Sequence, residues 1–343
     1  MEKFSQFRDR GKSIHNHPFP TKTNNNPLPG SGVSPFLPAL TPSSKIFATV
    51  RIFLFLLRLP LFLSYTALYL LFLHHLPLPS FIRKLLLWGI IAIPGIWWVD
   101  LQLDGVKRGS LSQQPASRVP HPCSVIAANF TSPLDALYLA AVFDPIFTIS
   151  YPHTRKVRHV GLLGAIWAAL SPAQLASDPS PKGLTDLRAL LEKYPDRVVA
   201  VFPECATTNG KGILPLSPSL LAVPSDAAIF ALSMRYTPPD VTTPVPGAWG
   251  RFLWKLLSRP THCIRVRIAE GMYNTSVATN GTSRHEGSER GEGAEGSGDL
   301  TMEEQRMLDR VADALARLGR AKRVGLTVGD KRNFVDAWKK TKR

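Results

Sequence analysis

The sequence contains few cysteines and few acidic residues. Its three cysteines, Cys123, Cys205 and Cys263, show no CxxC spacing, which excludes a disulfide framework and a cysteine zinc site and favours a reducing, cytosol-facing environment. Only 19% of residues are charged and 44% are hydrophobic, which excludes a highly charged disordered protein. The sequence contains 25 acidic residues and 41 Lys and Arg, so its net charge is +16. A positive charge of this size is typical of proteins that bind nucleic acid or an anionic membrane, and both partners stay open at this point.

The excess positive charge lies largely at the two ends of the chain. Residues 1–45 hold six Lys and Arg against two acidic residues, and residues 301–343 hold twelve against six. No RNA- or DNA-binding motif is present, so we expect membrane lipids rather than nucleic acid. Residues 1–44 are rich in Pro and Asn without helical or strand periodicity, which predicts a disordered basic arm.

Two apolar segments follow the arm. Residues 52–73 include one charge, Arg58, and as a helix they would reach about 33 Å, enough to cross a bilayer core. Residues 85–99 are shorter and are interrupted by Pro94. We interpret residues 45–100 as a membrane-embedded helical hairpin that enters one leaflet. The alternative is a pair of buried helices in a soluble domain.

Apolar, β-branched runs then alternate with helical patterns over residues 101–274. The predicted strands cover 123–129, 145–151, 197–202, 227–236 and 263–269, and the predicted helices cover 134–143, 162–170, 184–193 and 249–257. This alternation predicts an α/β domain whose mostly parallel sheet is wrapped by helices.

The remainder of the chain divides into two parts. Residues 275–300 are rich in Gly, Ser and Glu, which predicts a flexible insertion. Residues 301–343 predict C-terminal helices with a basic end. The first begins at a capping box of Thr301 and Glu304 and ends at Gly319, and the second covers about 330–340.

Polar side chains follow three of the predicted strands. Asp135 comes after the first strand, His153 after the second and Glu204 after the strand at 197–202. Ligands of open α/β sheets collect at the carboxyl ends of the strands. If these strands are parallel, the three side chains converge on one edge of the sheet.

Two further groups of residues are candidates for binding phosphate. The loop after Glu204, with Thr207, Thr208, Gly210 and Lys211, could offer backbone amides and one cation, although a plain turn explains it equally well. Arg155 and Arg158 could meet the phosphates of coenzyme A or of a lysophospholipid, and the alternative is a solvated charged face.

These segments resemble the motifs of the glycerolipid acyltransferases, specifically the lysophosphatidic acid acyltransferase family. The family motifs are Asn-His-x4-Asp, Phe-Pro-Glu-Gly-Thr and an apolar block with Val-Pro. The matching positions are Asn129 to Asp135, Phe202-Pro203-Glu204 and Val223-Pro224. The strings at 129–145 and 202–220 look most like the fungal branch, which is thought to act at the endoplasmic reticulum and lipid droplets. The resemblance covers about residues 45–270.

The resemblance implies a mechanism, but the histidine that acts as base in that mechanism is missing from this sequence. In the family, the His removes a proton from the acceptor hydroxyl, the Asp orients that His, and the Glu-Gly-Thr loop helps to bind the acceptor. Here Phe130 occupies the position of the His, and Cys205-Ala206 replace Gly-Thr. Phenylalanine cannot accept a proton, and general base catalysis typically contributes about 10²–10⁴-fold.

Three explanations for the missing base remain open. Another base could serve; we favour His153 over His159, because His153 ends the neighbouring strand, and over His121, which precedes its strand. Positioning of the two substrates could also suffice without a base. The third explanation is a catalytically impaired protein that binds lipid. A covalent role for Cys205 is disfavoured because no His lies near it in sequence.

The sequence therefore predicts an acyl-CoA-dependent 1-acylglycerol-3-phosphate O-acyltransferase. Its expected catalytic residues are Asp135 and His153; Asn129, Phe130, Glu204 and the Thr207–Lys211 loop are expected to bind substrate. Acyl-CoA is the expected co-substrate, with no permanently bound cofactor and no metal, and no protein partner is inferred. The resemblance implies the endoplasmic reticulum membrane or the lipid droplet as location, with the catalytic domain facing the cytosol.

Overall fold

The protein is described by a computed structural model over residues 2–9, 31–39, 41, 48–73, 76–106, 114–173, 183–276 and 300–342. Most of the predicted arm, and residues 277–299 of the predicted insertion, lie outside these ranges. The helices are α1 (Ala48–Leu71), α2 (Ser80–Ala92), α3 (Pro133–Phe143), α4 (Leu162–Leu170), α5 (Leu187–Lys193), α6 (Trp249–Leu257), α7 (Met302–Gly319) and α8 (Val328–Lys342). The strands are β1 (Ile96–Leu103), β2 (Val125–Ala128), β3 (Ile146–Ser150), β4 (Val157–Val160), β5 (Leu184–Thr185), β6 (Val199–Val201), β7 (Gly212–Ile213), β8 (Ile229–Thr237), β9 (His262–Ile268) and β10 (Lys322–Arg323).

Eight strands form one mixed sheet in the order β1-β9-β8-β2-β6-β3-β4-β5. Its centre is parallel, because β2 pairs in parallel with both β8 and β6, and β6 pairs in parallel with β3. Antiparallel pairs join β8 to β9, β3 to β4 and β4 to β5. The prediction of a mostly parallel sheet flanked by helices is confirmed, and the predicted central strands agree with β2, β3, β6, β8 and β9.

The sheet separates two apolar cores because successive residues of a strand point to opposite faces. In β2, Ile126 packs into the core that contains Leu87 of α2. Its neighbour Val125 packs into the core that contains Met307 of α7. Both faces of the central strands are therefore covered, which explains why β2 and β6 are apolar at every position.

The second half of the predicted membrane hairpin belongs to the folded domain. Helix α2 buries Leu87, Ile90 and Ile91, and residues 96–103 form β1, which pairs in parallel with β9. Residues 96–100 of the predicted hairpin therefore form a strand and not a membrane helix. A short apolar run cannot by itself distinguish a membrane helix from a buried helix followed by a strand.

Helix α1 keeps the character of the predicted membrane segment. Among the described residues it is the one helix long and apolar enough to cross a membrane, and Phe53, Leu56 and Leu71 are more than 60% exposed. The single charged residue near its centre, Arg58, forms hydrogen bonds within the protein. Arg58 donates hydrogen bonds to the carbonyls of Pro94 at 3.2 Å and Pro260 at 3.0 Å. The helix is thus attached to the domain along one side and presents apolar residues on the other.

Parts of both chain ends fold together over the carboxyl edge of the sheet. Phe7 and Phe36, from the predicted disordered arm, contact Phe334 of α8 at ring distances of 5.2 and 5.9 Å. We call this group the terminal cluster; its buried members are Phe7, Phe36, Ala206, Leu214, Val324, Leu326, Val328, Phe334 and Val335. The expectation of disorder over residues 1–44 therefore fails for residues 2–9 and 31–39.

Candidate functional site

Asp135 and Glu204 meet at the carboxyl edge of the sheet. Asp135 lies in the first turn of α3, just after β2, and Glu204 follows β6, which pairs in parallel with β2. Both side chains are fully buried. Glu204 accepts the backbone N–H of Phe130 and Asp135 accepts that of the next residue, Thr131, so the two carboxyl groups bind adjacent backbone amides. Convergence of these two residues is what the sequence predicts.

The Asp135 carboxylate organises the loop that contains Phe130. It accepts hydrogen bonds from the backbone N–H groups of Thr131 at 2.6 Å and Ser132 at 2.8 Å, and from the hydroxyl of Tyr236. It also closes a capping box with Ser132 at the start of α3. Burial raises its pKa to about 6, against the opposing effect of these hydrogen bonds. Asp135 is thus a buried acceptor that fixes the loop geometry.

Glu204 ties three segments of the edge together. One carboxylate oxygen accepts the backbone N–H of Phe130 at 3.2 Å, and the other accepts that of Leu214 at 3.1 Å. Burial raises its pKa to about 8, although both hydrogen bonds and the charge of Lys331 oppose the increase. The next residue, Cys205, takes a left-handed conformation with φ 56°. Glu204 therefore fixes the turn after β6.

Phe130 lies beside an apolar pocket at this edge. Its ring is 5% exposed and stacks on Phe202 at 4.5 Å and 26°. The pocket contains about 600 Å³ of empty space, including the part open to solvent. It is lined by Phe130, Thr148, Ile149, Ser150, Gly164, Ala165, Trp167, Ala168, Ser171, Pro172, Ala173, Phe202 and Cys205. Its lining is largely apolar, so the pocket suits an apolar ligand.

The structure brings no imidazole of the described residues into this pocket. His121, His153, His159 and His262 are the histidines in the described ranges, and none of them lines it. His153 lies in an exposed turn after β3, at the expected edge. His159 pairs with Thr148 in β4, and burial together with the nearby positive charges of Lys193 and Arg197 lowers its pKa.

The loop predicted to hold a phosphate uses its backbone amides within the protein. Thr208 donates its N–H to Phe130 at 2.9 Å, and Asn209 donates to Pro35 at 2.8 Å. The N–H of Gly210 reaches the Thr208 hydroxyl, and that of Lys211 reaches the Asn209 side chain. These four amides are therefore not available to a ligand. The Lys211 side chain is exposed.

Two other predicted binding residues are also committed to structural bonds. The Asn129 side-chain amide exchanges hydrogen bonds with the backbone of Met234 in β8, at 2.9 and 2.7 Å. Arg155 forms a 3.0 Å ion pair with the buried Glu304 at the start of α7. Arg158 lies opposite Ile149 in the β3–β4 pair. The role of Arg155 and Arg158 in binding coenzyme A stays a prediction.

Cys205 is not poised as a nucleophile. Burial raises the pKa of its thiol well above the ordinary value, and the charge of Glu204 adds to the increase. Its Sγ lies 3.4 Å from the carbonyl of Pro203. A thiol that resists ionisation in this way is unreactive, which agrees with the expectation from the sequence.

Lys331 of α8 is a component of the site edge that our sequence reasoning missed. Its side chain is 2% exposed, and its ammonium group donates to the carbonyl of Thr207 at 2.7 Å. A signal was present in the sequence. Val328, Lys331, Phe334, Val335 and Trp338 fall on one face of a helix by their spacing, and a lysine within such an apolar stripe calls for a buried partner.

The raised pKa of Glu204 makes protein stability depend on pH. The unfolded side chain titrates near 4.5 and the folded one near 8. Between these values the folded protein holds a proton that the unfolded chain has lost, so this contribution to stability decreases as pH rises. We expect wild type to lose stability relative to Glu204→Gln from pH 4.5 to 8, by a few kcal/mol at most. Melting temperatures of both proteins across this range test it, and a constant difference would contradict it.

A curated fungal protein is similar to this chain over almost its whole length. No family model matches the chain. The chain is 27% identical over 346 aligned positions to a curated protein of Schizosaccharomyces pombe named "Putative lysophosphatidic acid:oleoyl-CoA acyltransferase", and the alignment covers 98% of both proteins. This similarity confirms the resemblance to fungal lysophosphatidic acid acyltransferases that the motifs indicate.

Proposed function

We propose that this protein transfers an acyl group from acyl-CoA to a lysophospholipid, with lysophosphatidic acid as the favoured acceptor. The observation that carries the proposal is the meeting of Asp135 and Glu204, both from the matched motifs, at the loop whose Phe130 lines the apolar pocket. The name of the yeast relative supports the same substrates and an acyltransferase activity.

The proposed reaction is the acylation of a free hydroxyl by a thioester. The acceptor hydroxyl oxygen attacks the thioester carbonyl carbon, a carbon–oxygen bond forms and the carbon–sulfur bond breaks. Coenzyme A leaves and takes up the proton that the hydroxyl loses. Phosphatidic acid is the product when lysophosphatidic acid is the acceptor, and acyl-CoA is consumed as co-substrate.

The site must promote this step without an imidazole at position 130. We infer that the apolar pocket holds the acyl chain, while the loops fixed by Asp135 and Glu204 set the position of the reacting groups. Proximity and orientation alone can contribute about 7–11 kcal/mol in favourable cases. His153 remains our candidate for a replacement base, because its turn lies at the same edge of the sheet.

The exposed face of α1 supports a membrane location for the reaction. Its apolar side chains would partition into a bilayer, where lysophospholipids and long-chain acyl groups are concentrated. We propose the endoplasmic reticulum membrane or the lipid droplet surface, with the α/β domain in the cytosol.

A second candidate function is lipid binding without turnover. The replacement of the family His by Phe130, whose ring is buried against Phe202, favours it. Both functions predict affinity for acyl-CoA or lysophospholipid. Only the first predicts formation of a diacyl product.

A variant panel on isolated membranes tests the proposal. Labelled acyl-CoA and lysophosphatidic acid are supplied to wild type, Glu204→Ala and His153→Ala. We expect Glu204→Ala to lose activity at least about tenfold because the turn after β6 loses its central acceptor. Arg188→Ala is the matched control, since Arg188 is exposed on α5 and pairs only locally with Glu192. Full activity in His153→Ala would remove the role of His153 as base, whereas full activity in Glu204→Ala would contradict the site.

A further inference from the structure

Lys331 is a buried cation at the edge where the two carboxylates meet. It reaches that edge from α8, more than a hundred residues further along the chain. Its ammonium group donates to both the carbonyl and the hydroxyl oxygen of Thr207, at 2.7 and 2.8 Å. The Thr207 hydroxyl in turn donates to the carbonyl of Thr243 at 2.7 Å. The lysine therefore links the turn after Glu204 to the segment that follows β8.

Burying a lysine is costly unless charge and hydrogen bonds compensate for lost water. The Thr207 oxygens provide the hydrogen bonds. Burial lowers the pKa of the Lys331 ammonium group to about 7, and the negative charge of Glu204 opposes this decrease. The effect is reciprocal, because the charge of Lys331 lowers the pKa of Glu204. Each of the two buried groups thus favours the charged form of the other, although burial has the larger effect on both.

The other titratable groups around Glu204 are Asp135, Tyr236 and Asp330. None of these three supplies a positive charge that would lower the pKa of Glu204. Asp135, from α3, raises the pKa of Glu204. Tyr236, from β8, donates its hydroxyl to Asp135, and its own pKa is raised well above the usual value. Asp330, the neighbour of Lys331 on α8, accepts hydrogen bonds from Thr327. Lys331 is therefore the positive group that acts on Glu204.

The hydrogen-bond geometry of Glu204 suits its ionised form. Both of its carboxylate oxygens accept backbone N–H groups, one from Phe130 and one from Leu214. Hydrogen bonds donated to a carboxylate favour the charged state. A positive charge at Lys331 supports the same state.

We propose that Lys331 is a positioning residue of the site: its hydrogen bonds to Thr207 fix the turn after β6 that carries Glu204. This inference rests on the proposed acyl-transfer function and extends it to the C-terminal helix. Helix α8 is held in place by the terminal cluster, in which Phe334 contacts Phe7 and Phe36. Both ends of the chain therefore contribute to the geometry of the site.

The test compares the same substitution at a buried and an exposed lysine of one helix. Lys331→Met removes the buried charge and retains an unbranched side chain, and Lys339→Met is the matched control because Lys339 is exposed on α8. Acyl transfer from acyl-CoA to lysophosphatidic acid is measured from pH 6 to 9 in membranes. We expect Lys331→Met to lose activity about tenfold near neutral pH, whereas Lys339→Met behaves as wild type.

The pH profile separates a positioning role from a general loss of structure. Activity should rise as Glu204 ionises, and in Lys331→Met this rise should move upward by about one pH unit, since the opposite charge has been removed. Lys331→Arg keeps the charge and should retain the wild-type position of the rise. An unchanged profile and rate in Lys331→Met would overturn the proposal.

A double-mutant cycle tests the charge link without reference to turnover. Melting temperatures are compared for wild type, Lys331→Met, Glu204→Gln and the double variant. We expect the double variant to melt at a higher temperature than the sum of the two single shifts predicts, because each group favours the charged form of the other. Additive shifts would overturn the link. If wild type forms no product, the acyl-transfer proposal fails, and the cycle still decides whether the two buried charges are coupled.

Discussion

Asp135→Ala is expected to lower the free energy of unfolding by about 3–5 kcal/mol and to abolish acyl transfer. The substitution leaves the backbone N–H groups of Thr131 and Ser132 and the hydroxyl of Tyr236 without their acceptor. Each buried donor left unsatisfied costs about 1–3 kcal/mol. Loss of the capping box at the start of α3 adds to the destabilisation. The loop that carries Phe130 would then lose its fixed shape.

Denaturant unfolding of detergent-solubilised protein, followed by tryptophan fluorescence, measures this effect. Tyr236→Phe is the graded control, because it removes a single donor to Asp135 and should cost about 1 kcal/mol. Asp144→Ala, at the opposite end of α3, removes a partly exposed carboxylate that pairs with Arg83 and Arg197, and it should leave acyl transfer intact. Wild-type stability in Asp135→Ala would show that the carboxylate does not organise the loop.

Phe130→His is expected to raise acyl-transfer turnover by about 10²–10⁴-fold, the usual contribution of a general base. The side chain at position 130 lines the pocket, and its backbone N–H is fixed by Glu204 at 3.2 Å. An imidazole there would lie at the pocket wall, where the family places its base. The ring is smaller than that of Phe and can still stack on Phe202.

Phe130→Leu is the matched control, since it changes the ring without adding a base. We expect no gain in turnover from this variant and a modest loss of stability. A gain in Phe130→His over a measurable wild-type rate would support catalysis by positioning. A gain from zero would support the lipid-binding alternative. No gain at all would contradict the assignment of the pocket as the reacting site.

Local sequence patterns predicted much of the architecture because they reflect local physics. The capping box of Thr301 and Glu304 is present at the start of α7, with both of its hydrogen bonds. The runs that became β2 and β6 are apolar at each position, as strands covered on both faces must be. Asp135 and Glu204 follow these strands directly, so the parallel pairing brings them together.

The errors arose where distant parts of the chain decide the structure. Residues 96–99 are apolar and continue the pattern of α2, and only pairing with β9, more than 150 residues away, makes them part of a strand. The order of residues 31–39 depends on contacts such as that between Phe36 and Phe334. Composition alone does not report such contacts.

The details of the site were hardest to predict. The resemblance to the acyltransferase motif suggested that Asn129 faces a ligand, and residue types suggested the same for the loop after Glu204. The structure instead uses them to connect β2, β8 and the segment at residues 31–39. Lys331 was missed because its partners, Thr207 and Glu204, lie far from it in sequence.

Product formation by the wild-type protein tests the central claim most directly. Membranes that contain the protein are incubated with labelled acyl-CoA and lysophosphatidic acid, and the lipids are separated; membranes with Glu204→Ala serve as control. We expect labelled phosphatidic acid from wild type and at least about tenfold less from Glu204→Ala. The absence of labelled phosphatidic acid above the level of membranes lacking the protein would contradict it.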